Sequence, residues 1–417
     1  MTRAAVVDAP PVVVIGAGPS GLAVAAMLHR AAVPALVLER GDRVGVRWAE
    51  RYDHLELHTA RGGSHLPGLA LPRSSGPWVA RDDFVAYLER YRALHGLRVR
   101  VGTVVHRIEP GAAGAAARWR VHTSGGVLAA RAVVVATGRC NLPRIPDWPG
   151  RDAYGGRLLH AADYRSPAPY RGRAVLVVGA GNSGTEIASV LAAEGAEKVW
   201  LAVRTPPNIL PRGFSRWHLA GRLTEFLPPA WRDRSALLTQ RCAVPDLTPF
   251  GIPRPRTGPF TRNAREGNNP VLDHGFVAAV RSGGVEPVAA VAGFDGARVR
   301  LADGSVLVPD TVIAATGYRT GLAELLPGVD VLDESGRPVV HGAQTSAAAP
   351  HLYFAGFTNP LSGALYQAGV EARAISRALA GRTAFVPGQR RATRGQEALA
   401  PVRLPMGGAT AGRAEGA

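Results

Sequence analysis

The chain has 417 residues, 46% of them hydrophobic and 19% charged, enough for two or more domains with separate cores. Its formal charge of +17 would suit nucleic acid or an anionic surface, but Lys198 is the only lysine and the arginines are scattered, without basic runs or interleaved aromatics, so neither is expected. Cys140 and Cys242 are far apart, which excludes a CxxC pair, a disulfide framework and cysteine metal spacing.

In chain order, "PPVVVIGAGPSGLAVAAMLHRAAVPALVLER" predicts a buried strand over Val12–Ile15, a glycine turn, an Ala/Leu-rich helix and a second strand over Ala35–Leu38. Gly16 permits the tight turn. Gly18 lets backbone N–H groups approach a pyrophosphate, and Gly21 lets the helix pack closely on the strand. Pro19 and Ser20 open the helix. Glu39, followed by Arg40, ends the second strand and is placed to accept from ribose hydroxyls.

The run "RWRVHTSGGVLAA" predicts paired antiparallel strands, and "RAVVVATG" a strand that ends at Gly138. After it, "YGGRLLHAADY" crowds His160, Asp163 and Tyr164 together. A metal site fails there for want of further ligands, and a nucleophile–base pair fails for want of Ser or Cys. By position the stretch is a connection between domains, with His160 fixing it by hydrogen bonds.

"RAVLVVGAGNSGTEIASVLAAEGAEKVWLAVR" repeats the first plan through Gly179, Gly181, Asn182, Ser183 and Gly184. Its second strand ends without an acid, at Arg204. A guanidinium can pair bidentately with a 2′-phosphate that an acid would repel, so this site is expected to prefer NADPH over NADH. Residues at about 205–270 mix aromatics, prolines and short amphipathic pieces. They are expected to form a substrate entrance or lid, with Trp217, Phe226 and Trp231 as anchors or contacts. "ARVRLADGSVLV" and "DTVIAATGY", with Thr316 and Gly317, echo the meander and returning strand of the first half. One plan used twice, with two nucleotide sites, implies electrons passing from one nucleotide to another.

Several stretches together resemble the flavin-containing monooxygenases, within them the plant YUCCA-type enzymes and their bacterial relatives. They are "GVRWAERYDHLELHT", "YGGRLLHAADYRS", "VGAGNSGTEIA", "GNNPVLDHGFVAAVRSG" and "HLYFAGFTNPLSGALYQAG", and the resemblance runs from about Val12 to Gly381. Tyr154 replaces the phenylalanine usual in the identifying motif. The resemblance implies an α/β fold of two dinucleotide-binding, Rossmann-like domains. Each has a parallel sheet and a small antiparallel β-meander, and the NADPH domain is inserted into a discontinuous FAD domain. The expected limits are 10–165 and 310–385 for the FAD domain, 166–309 for the NADPH domain, and 386–417 for a disordered tail.

The same resemblance implies FAD and NADPH as cofactors, and O₂ and a small organic molecule as substrates. A flavin C4a-(hydro)peroxide would transfer one oxygen atom. Arg47 and Trp48 fall in the flavin-contacting segment, and Gly138, Thr316, Gly317 and Gly356 in the nucleotide-facing loops. Gly363 starts a helix aimed at the pyrimidine edge of the flavin. His58 stands where other members of the wider family place Asn near C4a, and is the candidate catalytic residue. That departure tilts the expected chemistry towards carbonyl compounds and 2-oxo acids rather than amines or sulfides. An NADPH-dependent reductase serving a quinone or redox partner, and a non-catalytic redox-sensing flavoprotein, are the alternatives. No metal is expected. Without a visible signal peptide or a run of roughly 18 apolar residues, the expected location is the cytoplasm.

Overall fold

A computed structural model describes residues 10–212 and 227–381, apart from 113 and 115. Ten strands form two parallel sheets: β1 (Val12–Ile15), β2 (Ala35–Leu38), β3 (Val99–Arg100), β4 (Ala132–Val135), β5 (Arg157–His160), β6 (Ala174–Val178), β7 (Lys198–Ala202), β8 (Glu286–Val288), β9 (Thr311–Ala314) and β10 (Leu352–Phe354). The first sheet has the order β10-β4-β1-β2-β3 and the second β5-β9-β6-β7-β8. Position by position the two are the same construction. In each, the glycine-loop strand lies between its successor and the strand that ends in Ala-Thr-Gly.

The strands β1, β4, β6 and β9 are buried along their whole length or nearly so. Continuous Val and Ile runs suit strands covered on both faces, as parallel sheets are. Four helices bear on the site: α1 (Pro19–Arg30), α2 (Arg81–Leu94), α3 (Asn182–Ala193) and α4 (Ala364–Ala380). α1 packs chiefly on α4, and α3 lies on β6 and β7. Each half also carries a three-stranded antiparallel meander, at Val105–Ala130 and Val291–Leu307.

The expected crossover points, 165/166 and 309/310, fall among the strands of the second sheet. Its edge strand β5 precedes the first point, and its inner strand β9 follows the second. β9 pairs with β6 on one side and β5 on the other. The second sheet therefore takes its edge strand from before its glycine loop, whereas the first takes β10 from the far end of the chain.

His160, at the end of β5, is buried. Its Nε2–H donates to the carbonyl of Gly317 at 3.0 Å, and its Nδ1 accepts from the amide of Ala162 at 2.9 Å. Burial pushes its pKa below the ordinary 6.5, so the ring is neutral and spent on backbone contacts. Tyr164 packs in the core of the second half.

Trp231 is described and exposed. Trp217, Phe226 and the stretch 386–417 lie outside the described residues. No described helix is long and apolar enough to cross a membrane.

Candidate functional site

The two glycine loops share one geometry. Gly16 and Gly179 have φ near +103° and +111°, a region that side chains rarely adopt. A Cβ on Gly21 would overlap the carbonyl oxygen of Gly16, and one on Gly184 that of Gly179. These contacts let α1 and α3 press against β1 and β6. At Gly18 and Gly181, the residues that precede the helices, a Cβ would meet nothing within 4 Å. Neither helix start has a side-chain cap. Unclaimed N–H groups facing open space are what an anionic pyrophosphate needs.

Around the first loop, the carboxylate of Glu39 accepts from the amides of Ala17 at 2.7 Å and Gly41 at 3.0 Å. Each oxygen keeps a lone pair for a further donor. Arg40 is exposed. Pro19 is the first helical residue, and Ser20 lies against Gly356, where a Cβ would strike its hydroxyl. Arg47 donates to Glu50 at 2.8 Å and to the carbonyl of Asn141 at 2.7 Å. Trp48 meets Phe84 of α2 edge-on, with centroids 4.7 Å apart, and bridges the two main cores. Gly138 and Gly317 end their strands at positive φ with open space beside them. Two buried polar atoms in this region, Arg47 Nε and Thr137 Oγ1, make no hydrogen bond among the described residues.

Around the second loop, Asn182 accepts from the amide of Leu272 at 2.9 Å and donates to the carbonyl of Pro270 at 3.1 Å. It thereby ties α3 to the strand at Val271–Asp273. Ser183 follows in the first turn of α3. Arg204 is exposed just past β7. Thr316 donates to the carbonyl of Arg144.

The two halves of the chain meet at His58. This residue lies in the segment that bridges to Ala80, with Leu57 donating to the carbonyl of Val79 at 2.8 Å. Next to it, Thr59 Cγ2 stands 3.0 Å from the point a Cβ on Gly363 would occupy, at the start of α4. The side chain of His58 is 36% exposed. Its Nε2–H donates to Glu186 Oε1 at 2.6 Å, and Tyr52 donates to Glu186 Oε2 at 2.5 Å. His274 Nε2 is buried, makes no hydrogen bond among the described residues, and lies 3.7 Å from the same Oε1. His58 and Tyr52 come from the first half. Glu186 is on α3, and His274 directly follows the strand at Val271–Asp273.

The charges in this cluster are set by competition. For His58, burial opposes protonation, but the charge and hydrogen bond of Glu186 outweigh it and hold the pKa above 6.5. For Glu186, burial pushes upward. His58, His274 and the Tyr52 hydroxyl overcome it and hold the carboxyl below its usual range. Burial keeps His274 neutral and raises Tyr52 well above 10. The pairing favours the protonated imidazole and the ionised carboxylate over their neutral forms.

The sequence has no metal-ligand spacing, yet the ligand atoms of His58, Glu186 and His274 lie within 4.8 Å of one another. Their spacing is nevertheless that of a hydrogen-bonded ion pair and not of ligands around a cation. The separation of 2.6 Å is that of a direct hydrogen bond, shorter than the roughly 3 Å between ligands on one zinc ion.

Glu186 and His274 escaped the sequence reading. For Glu186 a signal existed in the internal repeat. Aligned on the third glycine, "GLAVA" of the first loop faces "GTEIA" of the second, so Glu186 takes the place of Ala23, a fully buried helix position. An acid at a position the fold buries needs a partner. His274 has no comparable signal.

Paired parallel sheets, each with a phosphate-type loop and each followed by an antiparallel meander, define a two-nucleotide oxidoreductase. Residues 13–211 match the family model for pyridine nucleotide-disulphide oxidoreductase. The chain is 39% identical to indole-3-pyruvate monooxygenase YUCCA1 of Oryza sativa subsp. japonica, over 84% of this chain and 87% of that protein. It is 34% identical to the probable indole-3-pyruvate monooxygenase YUCCA3 of Arabidopsis thaliana, over 89% and 86%. Among solved structures, a flavin-containing monooxygenase from Stenotrophomonas maltophilia is similar with a TM-score of 0.69 and 26% identity, covering 90% of this chain and 99% of that one. The chain belongs to the YUCCA-type flavin monooxygenases.

Proposed function

We propose that this enzyme is an FAD- and NADPH-dependent monooxygenase that inserts one oxygen atom next to the carbonyl of a small 2-oxo acid and releases carbon dioxide. The balance is one 2-oxo acid, O₂, NADPH and a proton giving the carboxylic acid one carbon shorter, CO₂, NADP⁺ and water. Bound FAD, reduced by NADPH, supplies the activation of O₂.

The first loop, with Gly16, Gly18, Pro19, Ser20, Gly21 and Glu39, is the FAD site in this reading. Arg47, Trp48, Gly138, Gly317, Gly356 and Gly363 surround the flavin end, and Arg40 lies at the adenosine end. The unsatisfied Arg47 Nε and Thr137 Oγ1 suit a group that brings its own donors and acceptors. The second loop, with Gly179, Gly181, Asn182, Ser183 and Gly184, holds NADPH, and Arg204 pairs its 2′-phosphate. Thr316 and Gly317 close the turn over which the two cofactors meet. Because β5 and β9 both belong to the second sheet, the chain passes from an outer FAD unit to an inner NADPH unit ahead of β5 and returns after β9, outside the expected points at 165 and 310. The described parts of the segment at about 205–270, residues 205–212 and 227–270, border the substrate entrance in this reading, and Asn269 donates to Asn359 at 3.0 Å.

The observation that carries the reading is the pairing of His58 with Glu186 where the two units meet. A cationic imidazole favours negative charge on a reduced oxygen atom, and an anionic oxygen attacks carbonyl carbon rather than an amine or sulfide. The names of the plant relatives point to the same substrate class.

The test is a panel of 2-oxo acids, ketones, amines and sulfides given to the FAD-loaded protein with NADPH. Stoichiometric CO₂ and shortened acid from an aryl 2-oxo acid, with little sulfoxide or N-oxide, is the expected result. Sulfoxide or N-oxide as the main product, or NADPH oxidation yielding hydrogen peroxide with every compound, would overturn it.

A further inference from the structure

We infer that Glu186 is a positioning residue for His58: carried on the NADPH-loop helix, it fixes the imidazole of the other unit in orientation and charge, so that His58 is competent only when the two units are in register. The inference rests on the proposed role of His58 and adds what holds that residue in its working state.

Glu186 has only 5% of its surface exposed, on a helix whose neighbouring positions Ile187, Ala188 and Leu191 belong to the core. A buried carboxylate costs several kcal/mol unless paired. Both its oxygens are engaged, by Tyr52 and His58 of the first half of the chain. Within its own unit His274 is 3.7 Å away and neutral, too far to replace them. The carboxylate is therefore satisfied by donors from the first half of the chain, of which Tyr52 packs in the same core as α3 and His58 lies at its edge. The first loop has Ala23 at the matching position, so packing a helix of this type does not itself require an acid.

The charges that act on His58 pull in opposite directions. Glu186 raises its pKa. Arg212, from the end of the strand at Ile209–Pro211, and Arg139, next to Gly138, lower it. Arg212 is itself paired with Glu56 and stacked on Trp78, which ties its charge down. His274 is neutral, and Tyr52 stays protonated as a donor. One carboxylate thus opposes two guanidinium groups and burial. Without it, burial and the two guanidinium groups would favour the neutral imidazole, and the 2.6 Å bond that orients the ring would be lost.

The relation also runs the other way. A shift of α3 when NADPH binds or leaves moves Glu186 with it. The charge on His58 then reports whether the nucleotide unit is seated, a means of keeping oxygen chemistry from starting before the site is assembled.

The experiment is a histidine NMR titration of the FAD-loaded protein, wild type and Glu186→Gln, with His58→Gln to assign the signal. The glutamine keeps shape and hydrogen-bonding reach but not charge. The His58 pKa is expected to fall by about one unit or more in Glu186→Gln, in keeping with the loss of one close opposite charge. An unchanged pKa overturns the inference. Product formed per NADPH is measured in the same variants and in the double mutant. Glu186→Gln is expected to lower that ratio about tenfold at pH 8, less at pH 6, and to add nothing in the His58→Gln background. An equal loss with and without His58 shows that Glu186 acts by another route and overturns the inference. If His58→Gln leaves the product ratio intact while the pKa shift is present, the role of His58 fails and the pairing stands. A cooperative thermal transition and an unchanged FAD content confirm that Glu186→Gln is folded. If it is not, Tyr52→Phe, which removes only the second donor to the carboxylate, is titrated instead. A His58 pKa unmoved or lowered in that variant overturns the inference, because the released Oε2 charge should raise it.

Discussion

The imidazole of His160 is held 3.0 Å from the carbonyl of Gly317, a residue 157 positions further along the chain. With the amide of Ala162 on its other nitrogen, the ring joins the strand that enters the second sheet to the turn that leaves it. Replacing it with Phe leaves a buried acceptor and a buried donor unpaired. We expect His160→Phe to lose about 2–4 kcal/mol of stability, measured by denaturant unfolding. A loss below about 0.5 kcal/mol would show that the joint is not needed.

His160 and His58 should titrate with opposite signs. Burial depresses the pKa of folded His160, so its contribution to stability is present above 6.5 and is lost as pH falls below that value. For His58, burial is outweighed by Glu186 and the folded pKa is raised, so its contribution is present below 6.5 and lost as pH rises through the raised value. Glu186, whose pKa is depressed from 4.5, contributes above that value. The melting temperature of wild type should therefore exceed that of Glu186→Gln most between about pH 4.5 and 6.5, the gap narrowing towards pH 9. A constant gap would contradict the ion pair.

Much of this was legible in the sequence because it is locally encoded. Val12–Ile15 and Ala174–Val178 are short buried runs that lead into glycine turns, and both became central strands of parallel sheets. Close helix–strand approach at Gly21 and Gly184 is likewise a property of a few consecutive residues. The site proper was less legible. His58 and Glu186 are 128 residues apart, and no local pattern says what a buried helix position faces across an interface. The membership of β5 and β9 in the second sheet was hidden for the same reason: a four-residue apolar strand fits either sheet until its neighbours are known.

The two glycine loops should separate in function. Gly21→Ala forces a methyl group onto the Gly16 carbonyl, and Gly184→Ala onto that of Gly179. We expect the first to lose FAD on purification and the second to retain it while its NADPH affinity falls at least tenfold, about 1.4 kcal/mol. Flavin absorbance and an NADPH titration check both. Loss of FAD from Gly184→Ala alone would reverse the assignment of the loops.

Arg204 sets the nucleotide preference in this account. Arg204→Ala should lower kcat/KM for NADPH about tenfold or more, with NADH affected less than about twofold, since only the 2′-phosphate is lost as a partner. Equal loss with both nucleotides, read from flavin reduction under anaerobic conditions, would assign the 2′-phosphate to another residue.

The most direct measurement compares wild type and His58→Gln for the fate of oxygen, with an aryl 2-oxo acid as substrate. Both proteins should be reduced by NADPH at similar rates. Wild type should return one shortened acid for each NADPH, whereas His58→Gln should divert most of the oxygen to hydrogen peroxide. Equal product yields in the two proteins would contradict the placing of oxygen chemistry at His58.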